Sequence, residues 1–483
     1  MVNSESIHAA SAETRASVAV DLGAESCRVS LLRWSGEIAT ITLIHRFPNY
    51  PISTPDGTLR WSLSKIVSGV EEGIRRCASI ADEGVCSIGV DGWAVDYVRV
   101  NAENEPLEPP YCYRDERTSF AQAALHERIS ADRLSEITGL QIQPLNTLYQ
   151  LYADRLASKP SGVCCLNLPE YLLARWSGQR VSEWTMATHT QMVDLETRAW
   201  SPEILNAAEI DRSTLPPIAL TGTKLGLLRG ALSSIDGLKQ TLVIAPACHD
   251  TASAINGIPA DGDDWGYVSS GTWSLVGIPS SHAIRSDASW SGQFTNLGLN
   301  NEDYLIQKNV NGMWLIKQCL NTWNEYGEVW DITTLCAAAR EAHEEMHILN
   351  IDDPELLRMG NMPARINAYL VERGLPPMDV SPSGAPRMAS LIFQSLASRY
   401  STIFKNLENL AGRYIKRIYF VGGGSQNQYL LDLTASATGK FVLAGSSESS
   451  TIGNFAVQLA SLRCNGPSPR KSEIAHAAKL LAN

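Results

Sequence analysis

Two distant stretches of this 483-residue chain share one pattern, and this repeat is the strongest constraint on its fold. Residues 18–32 and 265–278 each read as a strand, a short loop of small residues and a returning strand. A second pair, residues 87–93 and 417–427, places a glycine corner after a buried strand. One repeat of so long a period indicates a duplicated domain rather than a solenoid. We therefore predict an α/β chain whose two domains face each other across a ligand-binding cleft.

The domain limits follow from composition. Residues 1–17 are polar and lack the apolar segment of a signal peptide, so we predict a disordered tail. A Gly/Pro/Asp-rich stretch at 256–263 is typical of a boundary. We accordingly predict one domain over 18–257 and a second over 258–483, a division that agrees with the size of ordinary domains.

Charge and cysteine usage exclude several classes of partner. The net charge of −11 argues against binding to nucleic acid or an anionic membrane surface. No apolar run approaches the length of a membrane span, and the ten cysteines form no CxxC pair. These features predict a cytoplasmic protein, a monomer or homodimer, with small molecules as its ligands.

Asp250 occupies the corner that the rest of the chain is arranged around. An apolar run at 241–244 predicts a buried strand, Pro246 ends it, and the small residues from Thr251 onward can begin a helix. The free N–H groups of a first helical turn favour an ionised carboxylate, so we expect Asp250 to be charged at neutral pH. This stretch alone is compatible with two roles, a helix N-cap and a proton acceptor.

Other stretches suggest nucleotide chemistry less directly. The loop after Asp21 contains small residues whose N–H groups suit a phosphate, although a plain hairpin turn explains it equally well. Residues 307–320 predict the start of a long helix. The chain has no P-loop motif. Residues 343–347 match HExxH, but the residues that follow do not continue a helix, so we predict no zinc site there.

Seven motifs, taken in order, resemble those of the FGGY carbohydrate kinase family, within the larger actin-like ATPase group. They are VAVDLGA at 18–24, SIGVD at 87–91, YRDERT at 113–118, NTLYQL at 146–151, HDTASA at 249–254, SSGTWSL at 269–275 and VGGGSQN at 421–427. The resemblance extends over nearly the whole chain after the tail. It implies two duplicated actin-like, ribonuclease H-like domains, the first binding sugar and the second ATP, with a cleft between them for both.

The resemblance also implies an ATP-dependent kinase that phosphorylates a ketose hydroxyl. Asp250 matches the family's catalytic base, and Asp21 resembles the acid that positions Mg²⁺ through water. The residues expected to contact the sugar are Trp93, Ala94, His249, Asp250, Thr251 and Asn309. Those expected to bind ATP are Ala24, Glu25, Ser26, Cys27, Arg28, Thr272, Lys317, Gly422, Gly423 and Gly424.

Four positions depart from the family pattern and leave the sugar open. Ala94 stands where glycine is expected, Asn311 replaces an apolar residue, and Lys317 stands where this branch tends to carry a glutamine. Glu25 places an acid in a phosphate loop, where it would repel phosphate unless it points away. The expected reaction is at C1 of L-rhamnulose or a close 6-deoxy-ketose or pentulose. The alternatives are L-fuculose, L-xylulose or L-ribulose as substrate, a silent nucleotide-binding regulator, and a cytoskeletal or chaperone ATPase.

Overall fold

The structure is a computed structural model that describes residues 14–301, 303–325, 327 and 330–482. The first half of the chain contributes fourteen strands and eight α-helices to the described residues. The strands are β1 (Ala16–Leu22), β2 (Ser26–Ser35), β3 (Ile38–Pro48), β4 (Ile52–Ser53), β5 (Leu59–Arg60), β6 (Val85–Gly92), β7 (Tyr97–Val100), β8 (Cys164–Asn167), β9 (Ser182–Glu183), β10 (Val193–Asp194), β11 (Ala199–Trp200), β12 (Ile218–Ala219), β13 (Thr223–Leu227) and β14 (Leu242–Ala245). The helices are α1 (Leu63–Ile80), α2 (Thr118–His126), α3 (Ala131–Thr138), α4 (Thr147–Leu156), α5 (Leu168–Ser177), α6 (Trp184–His189), α7 (Pro202–Ala207) and α8 (Asp250–Asn256).

The second half has fewer strands and longer helices. Its strands are β15 (Trp265–Ser270), β16 (Trp273–Ser280), β17 (Thr295–Gly298), β18 (Tyr304–Asn311), β19 (Arg417–Val421) and β20 (Phe441–Ala444). Its helices are α9 (Asp287–Ser291), α10 (Trp314–Glu325), α11 (Ile332–Glu341), α12 (Met362–Glu372), α13 (Ala385–Ala411), α14 (Gln428–Thr438), α15 (Ser449–Arg463) and α16 (Lys471–Ala482).

The two large sheets have matching strand orders, which confirms the duplicated α/β architecture. The N-terminal sheet runs β13-β14-β6-β1-β2-β3, and the C-terminal sheet runs β17-β18-β16-β15-β19-β20. In each, an antiparallel meander (β1-β2-β3 or β15-β16-β18) is extended by two parallel strands (β6 and β14, or β19 and β20). Each sheet therefore has an edge where the carboxyl ends of its parallel strands meet, and ligands bind at such edges.

Each half of the chain contributes one helix that packs against the sheet of the other half. Helix α8 follows the last parallel strand of the N-terminal sheet, yet its apolar residues pack with β15, β17, β18 and β19 of the other sheet. Helix α15, which follows β20, packs with α16 against β1 and β2 of the N-terminal sheet. Each half of the division predicted at 257/258 therefore contributes one helix to the packing of the other.

Backbone approaches closely where α8 and α15 cross. A Cβ at Gly453 would lie 1.7 Å from the carbonyl oxygen of Ser253, and one at Gly257 would lie 2.7 Å from that of Ser449. The Ser253 hydroxyl donates to the carbonyl oxygen of Ser450 at 2.9 Å. Larger residues at the two glycines would separate the helices.

Two predictions about the local structure need correction or limits, and a helix end bears on a third. Strand β1 begins at Ala16, so the tail predicted over 1–17 is too long, and its residues 1–13 lie outside the described part of the chain. Residues 304–311 form a strand, and the predicted helix begins only at Trp314. Helix α11 ends at Glu341, so the HExxH residues 343–347 share no helix face, and His343 Nδ1 instead contacts the Tyr429 hydroxyl at 2.8 Å.

Two global properties bear on the environment of the protein. All ten cysteines are free thiols, and eight of them are buried. Within the described ranges, no helix is long and apolar enough to cross a bilayer.

Candidate active site

Three aspartates meet where the parallel strands of the N-terminal sheet end. Asp21 near the end of β1 is the direct ladder partner of Asp91 near the end of β6, and Asp250 follows β14. Asp21 and Asp91 are buried, whereas the Asp250 side chain is 40% exposed. Three carboxylates so close together repel one another, so the group favours cations and held protons.

Asp250 is the first residue of α8. His249, not Asp250, occupies the N-cap position, which corrects the capping alternative. The Thr251 hydroxyl donates to Asp250 Oδ1 at 3.1 Å, and His249 Nε2 lies 3.5 Å from the same oxygen. Burial of its polar neighbourhood, and then the charge of Asp21, raise the pKa of Asp250 to about 7. Desolvation thus acts against the helix terminus, which by itself would favour the ionised carboxylate of Asp250.

Positive charge and hydrogen-bond donors balance the other two aspartates. Arg28 Nη1 lies 3.0 Å from Asp21 Oδ2, and the Ser450 hydroxyl donates to that oxygen at 2.8 Å. Asn454 Nδ2 donates to Asp91 Oδ2 at 2.6 Å, while Asp91 Oδ1 has no hydrogen-bond partner in the structure. Burial and then Asp21 raise the pKa of Asp91 well above its ordinary value. Arg28, which we predicted to bind phosphate, forms an ion pair with Asp21, the acid that we predicted to position the metal.

Helix α15 supplies donors that the sequence interpretation missed. Ser450, Asn454 and Gln458 lie four residues apart and so on one helix face. Gln458 Nε2 donates to the carbonyl oxygen of Val18 at 3.0 Å, and the Ser87 hydroxyl donates to Gln458 Oε1 at 2.6 Å. A polar stripe at i, i+4 and i+8 in an otherwise apolar helix was the signal that could have found these residues.

Trp93 and Asp96 form a buried corner after β6. Asp96 Oδ2 accepts hydrogen bonds from the indole nitrogens of Trp61 and Trp93 at 2.6 and 3.0 Å. Burial raises the pKa of Asp96 to about 6 despite these donors. Val95 between them has a φ of 73°, a conformation that is strained for a β-branched residue. This corner, which includes the buried Ala94, is therefore held rigidly rather than left to adapt to a ligand.

The NTLYQL motif explains how that corner is held. The Thr147 hydroxyl donates to the carbonyl oxygen of Val95 at 2.9 Å. Gln150 Nε2 donates to the same carbonyl at 3.2 Å and to Asp96 Oδ1 at 3.1 Å. Thr147 and Gln150 of α4 therefore stabilise the strained turn that follows β6.

The turns of the two repeated hairpins line one cleft of about 1130 Å³. The β1–β2 turn contributes Ala24, Glu25 and Ser26, and the β15–β16 turn contributes Thr272. Lys317 of α10 lies at the same cleft, 3.4 Å from Glu25. Glu25 is therefore paired with a cation, so the repulsion expected from its charge is offset.

A second cavity of about 530 Å³ adjoins the same β15–β16 turn. Gly423 and Gly424 form one side, with Ser270 and Gly271 at the turn and Met313 nearby. A Cβ at Gly424 would lie 2.0 Å from Ser270 Oγ, and at Gly423 it would meet nothing within 4 Å. One cavity is thus mostly apolar and bounded by bare backbone, while its neighbour is lined by charged side chains.

Four further residues that the sequence analysis singled out differ in which of their atoms a ligand could reach. Asn309 lies on β18 opposite Leu275, with its Oδ1 buried and unpartnered. Asn311, at the end of the same strand, instead donates to the carbonyl oxygen of Leu356 at 3.3 Å. The Cys27 side chain is fully buried in the N-terminal core, which leaves only its backbone for a ligand. Gly422, with a φ of 77°, shapes the turn after β19 and does not line the cavity.

The duplicated sheets, the paired hairpins and the acidic corner together define a sugar kinase. Residues 16–257 match the N-terminal domain of the FGGY family of carbohydrate kinases, and residues 266–462 match its C-terminal domain. The chain therefore belongs to the FGGY family of carbohydrate kinases.

Curated relatives and solved structures agree with this family. Rhamnulokinase of Enterococcus faecalis is 34% identical over 451 residues, covering 92% of this chain and 89% of the relative. Rhamnulokinase of Bacillus subtilis is 31% identical over 443 residues, covering 91% and 89%. Ligand-bound xylulose kinase from Lactobacillus acidophilus has a TM-score of 0.77 at 16% identity, covering 96% of both chains. Plasmodium falciparum glycerol kinase with ADP has a TM-score of 0.74 at 11% identity, covering 97% of this chain and 92% of that one.

Proposed function

We propose that this protein transfers the γ-phosphoryl group of ATP to a ketose hydroxyl, C1 of L-rhamnulose or a close ketose. Asp250, the most exposed of the three aspartates that meet at the strand ends, is the observation that carries the proposal. Its pKa of about 7 supports the role of a base. A general base is most effective when its pKa lies near the working pH. The named activity of the curated relatives supports rhamnulose over other ketoses.

The two cavities support an assignment of the nucleotide. The apolar cavity beside Gly424 has the shape and lining that a purine requires, because bare backbone lets a flat ring approach closely. The hairpin turns at Ala24–Ser26 and Thr272 would then hold the phosphates through backbone N–H groups. Arg28 lines the cleft of these turns and pairs with Asp21, so the proposed phosphate site adjoins the acidic corner.

The acidic corner fits a magnesium ion that arrives with the nucleotide. Asp91 Oδ1 has no partner and Asp21 lies beside it. In the described part of the chain, no group of His, Cys, Asp and Glu is placed to hold a metal on its own. Mg²⁺ is usually bound by one or two carboxylates together with substrate phosphates. When bound, it would neutralise phosphate charge, with Asp21 positioning it through water.

The sugar would lie between the two domains. His249 and Thr251 contact Asp250, and Gly92, which precedes Trp93 and Ala94, pairs with His249. Asn309 would supply an amide from β18. Asp250 would take the proton of the attacking hydroxyl as the phosphorus–oxygen bond forms. Burial and His189 lower the pKa of His249, which keeps its ring neutral as a hydrogen-bonding group.

The test is sugar-stimulated ADP formation with Mg-ATP. The panel is L-rhamnulose, L-fuculose, L-xylulose, L-ribulose, D-xylulose and glycerol, on the wild type and Asp250→Asn. We expect the strongest stimulation by L-rhamnulose and its loss in the variant. Strongest stimulation by another sugar would make that sugar the substrate. Binding of ATP without stimulation by any sugar would favour a nucleotide-binding regulator over an enzyme.

A further inference from the structure

The backbone that leads into Asp250 is fixed by two buried side chains outside the cleft. Cys248 and His249 follow the end of β14, so their N–H groups have no strand partner. Cys248 N donates to Glu183 Oε2 at 3.0 Å, and His249 N donates to Thr185 Oγ1 at 3.0 Å. Two consecutive buried donors are thus satisfied by residues about 65 positions earlier in the chain.

Glu183 and Thr185 form one connected unit. The Thr185 hydroxyl accepts the hydrogen bond from the His249 N–H and donates its own hydrogen to Glu183 Oε2. The N–H of Thr185 donates to the same oxygen at 3.0 Å, and the Thr221 hydroxyl donates to Glu183 Oε1. All of these donors converge on one fully buried carboxylate, a group that accepts at both oxygens.

The unit is itself anchored. Glu170 Oε1 accepts from Glu183 N at 2.7 Å, and Glu170 Oε2 accepts from Asn167 N at 3.0 Å in a capping box of α5. On the opposite side, Gly92 N donates to the carbonyl oxygen of Cys248 at 2.9 Å. The corner is therefore held from α5 and α6 on one side and from β6 on the other.

We propose that Glu183 and Thr185 are positioning residues that set the backbone of 248–249 and thereby the place of the Asp250 carboxylate. The inference rests on the proposed function, in which Asp250 is the base. Both residues are fully buried, so neither offers a surface to the sugar or the nucleotide. A base displaced by about 1 Å can lose roughly 100-fold in rate without any change in substrate contacts.

Thr185→Val removes the hydroxyl link at nearly constant volume. We expect kcat to fall roughly 10- to 100-fold while the sugar KM changes less than about 3-fold. Thr185→Ser retains the hydroxyl and should restore kcat. Thr434→Val is the matched control, because Thr434 is equally buried and its hydroxyl donates to Leu430 O within α14, far along the chain from the corner.

Hydrogen exchange of the segment 242–252 supplies a readout that does not depend on turnover. Thr185→Val should speed exchange of the Cys248 and His249 amides at least about 10-fold, and Thr434→Val should not. Unchanged exchange, or equal loss of kcat in both variants, would overturn the inference. Faster exchange in a protein that phosphorylates no sugar would uphold the positioning and reject the proposed function.

Glu183→Gln is a second variant for the same inference. Its amide oxygen can still accept from Cys248 and Thr185, while its NH₂ group meets the Thr221 hydroxyl. We expect a smaller loss of kcat than in Thr185→Val, because the acceptor for Cys248 is kept. A larger loss would show that the negative charge, rather than the backbone position, is what matters, and would overturn the inference.

Discussion

Lys317 Nζ lies 3.4 Å from Glu25 Oε1, so a side chain of the second domain reaches the hairpin turn of the first. Both residues depart from the family pattern, and each partly cancels the charge of the other. Both side chains are at least half exposed, so the pair is worth only roughly 0.5 kcal/mol. The pair matters mainly because it neutralises an acid in a cleft that we assign to phosphate.

Removal of Lys317 should therefore weaken ATP use, and simultaneous removal of Glu25 should restore it. We expect Lys317→Ala to raise the KM for ATP about 2- to 4-fold at low salt, with the double variant Glu25→Ala/Lys317→Ala close to the wild type. Salt at about 0.3 M should reduce the difference. Additive effects in the double variant would show that the two charges act independently.

Asp250→Asn should abolish turnover and leave nucleotide binding intact. General-base catalysis is worth roughly 100- to 10,000-fold, so kcat should fall by that factor while the dissociation constant of ADP changes little. Calorimetry and a coupled ADP assay measure the two quantities. Asp236→Asn is the control, because Asp236 is an exposed acid paired with Lys239 away from the cleft. A variant that keeps more than a tenth of the wild-type kcat would contradict the role of Asp250.

The raised pKa of Asp250 predicts opposite effects of pH on activity and stability. The base must be deprotonated, so kcat/KM should rise with pH and level off above about 7. Between its ordinary pKa of 3.8 and about 7, the folded protein holds a proton that the unfolded chain releases. The stabilising contribution is therefore present below 3.8 and is lost as pH rises toward 7.

Asp250→Asn should accordingly raise the melting temperature at pH 8, by roughly 1–3 °C, and raise it less at pH 5, which lies early in the window between 3.8 and about 7. Differential scanning calorimetry at the two pH values tests this. A melting temperature that falls equally at both values would show that the carboxylate stabilises the fold.

Gly424→Ala and Gly423→Ala should affect different properties. A methyl group at Gly424 would lie 2.0 Å from Ser270 Oγ, so β15 or the turn after β19 must move and the melting temperature should fall by several degrees. A methyl group at Gly423 meets open space, so the melting temperature should hold while the affinity for ADP drops. Equal melting temperatures of the two variants would contradict the close approach at Gly424.

The repeat was predictable from sequence because it depends on local patterns, whereas the roles of the site residues came from the family resemblance and stay predictions. A strand, a loop of small residues and a returning strand can be recognised wherever they occur, as at Asp21 and Thr272. Asn309 was assigned to a helix because apolar residues of β18 and α10 merge into one apparent period. The pKa of Asp250 and the pairing of Glu25 with Lys317 depend on neighbours far along the chain, and local patterns carry no such information.

Because α8 and α15 each pack against the sheet of the other half, the stability of the two halves is coupled. Without its partner, the N-terminal sheet would expose the apolar side chains that α15 covers, and the C-terminal sheet would expose those that α8 covers. Each half would therefore lose a covering helix if the other unfolded, so we expect a substitution that opens one sheet to lower the stability of both.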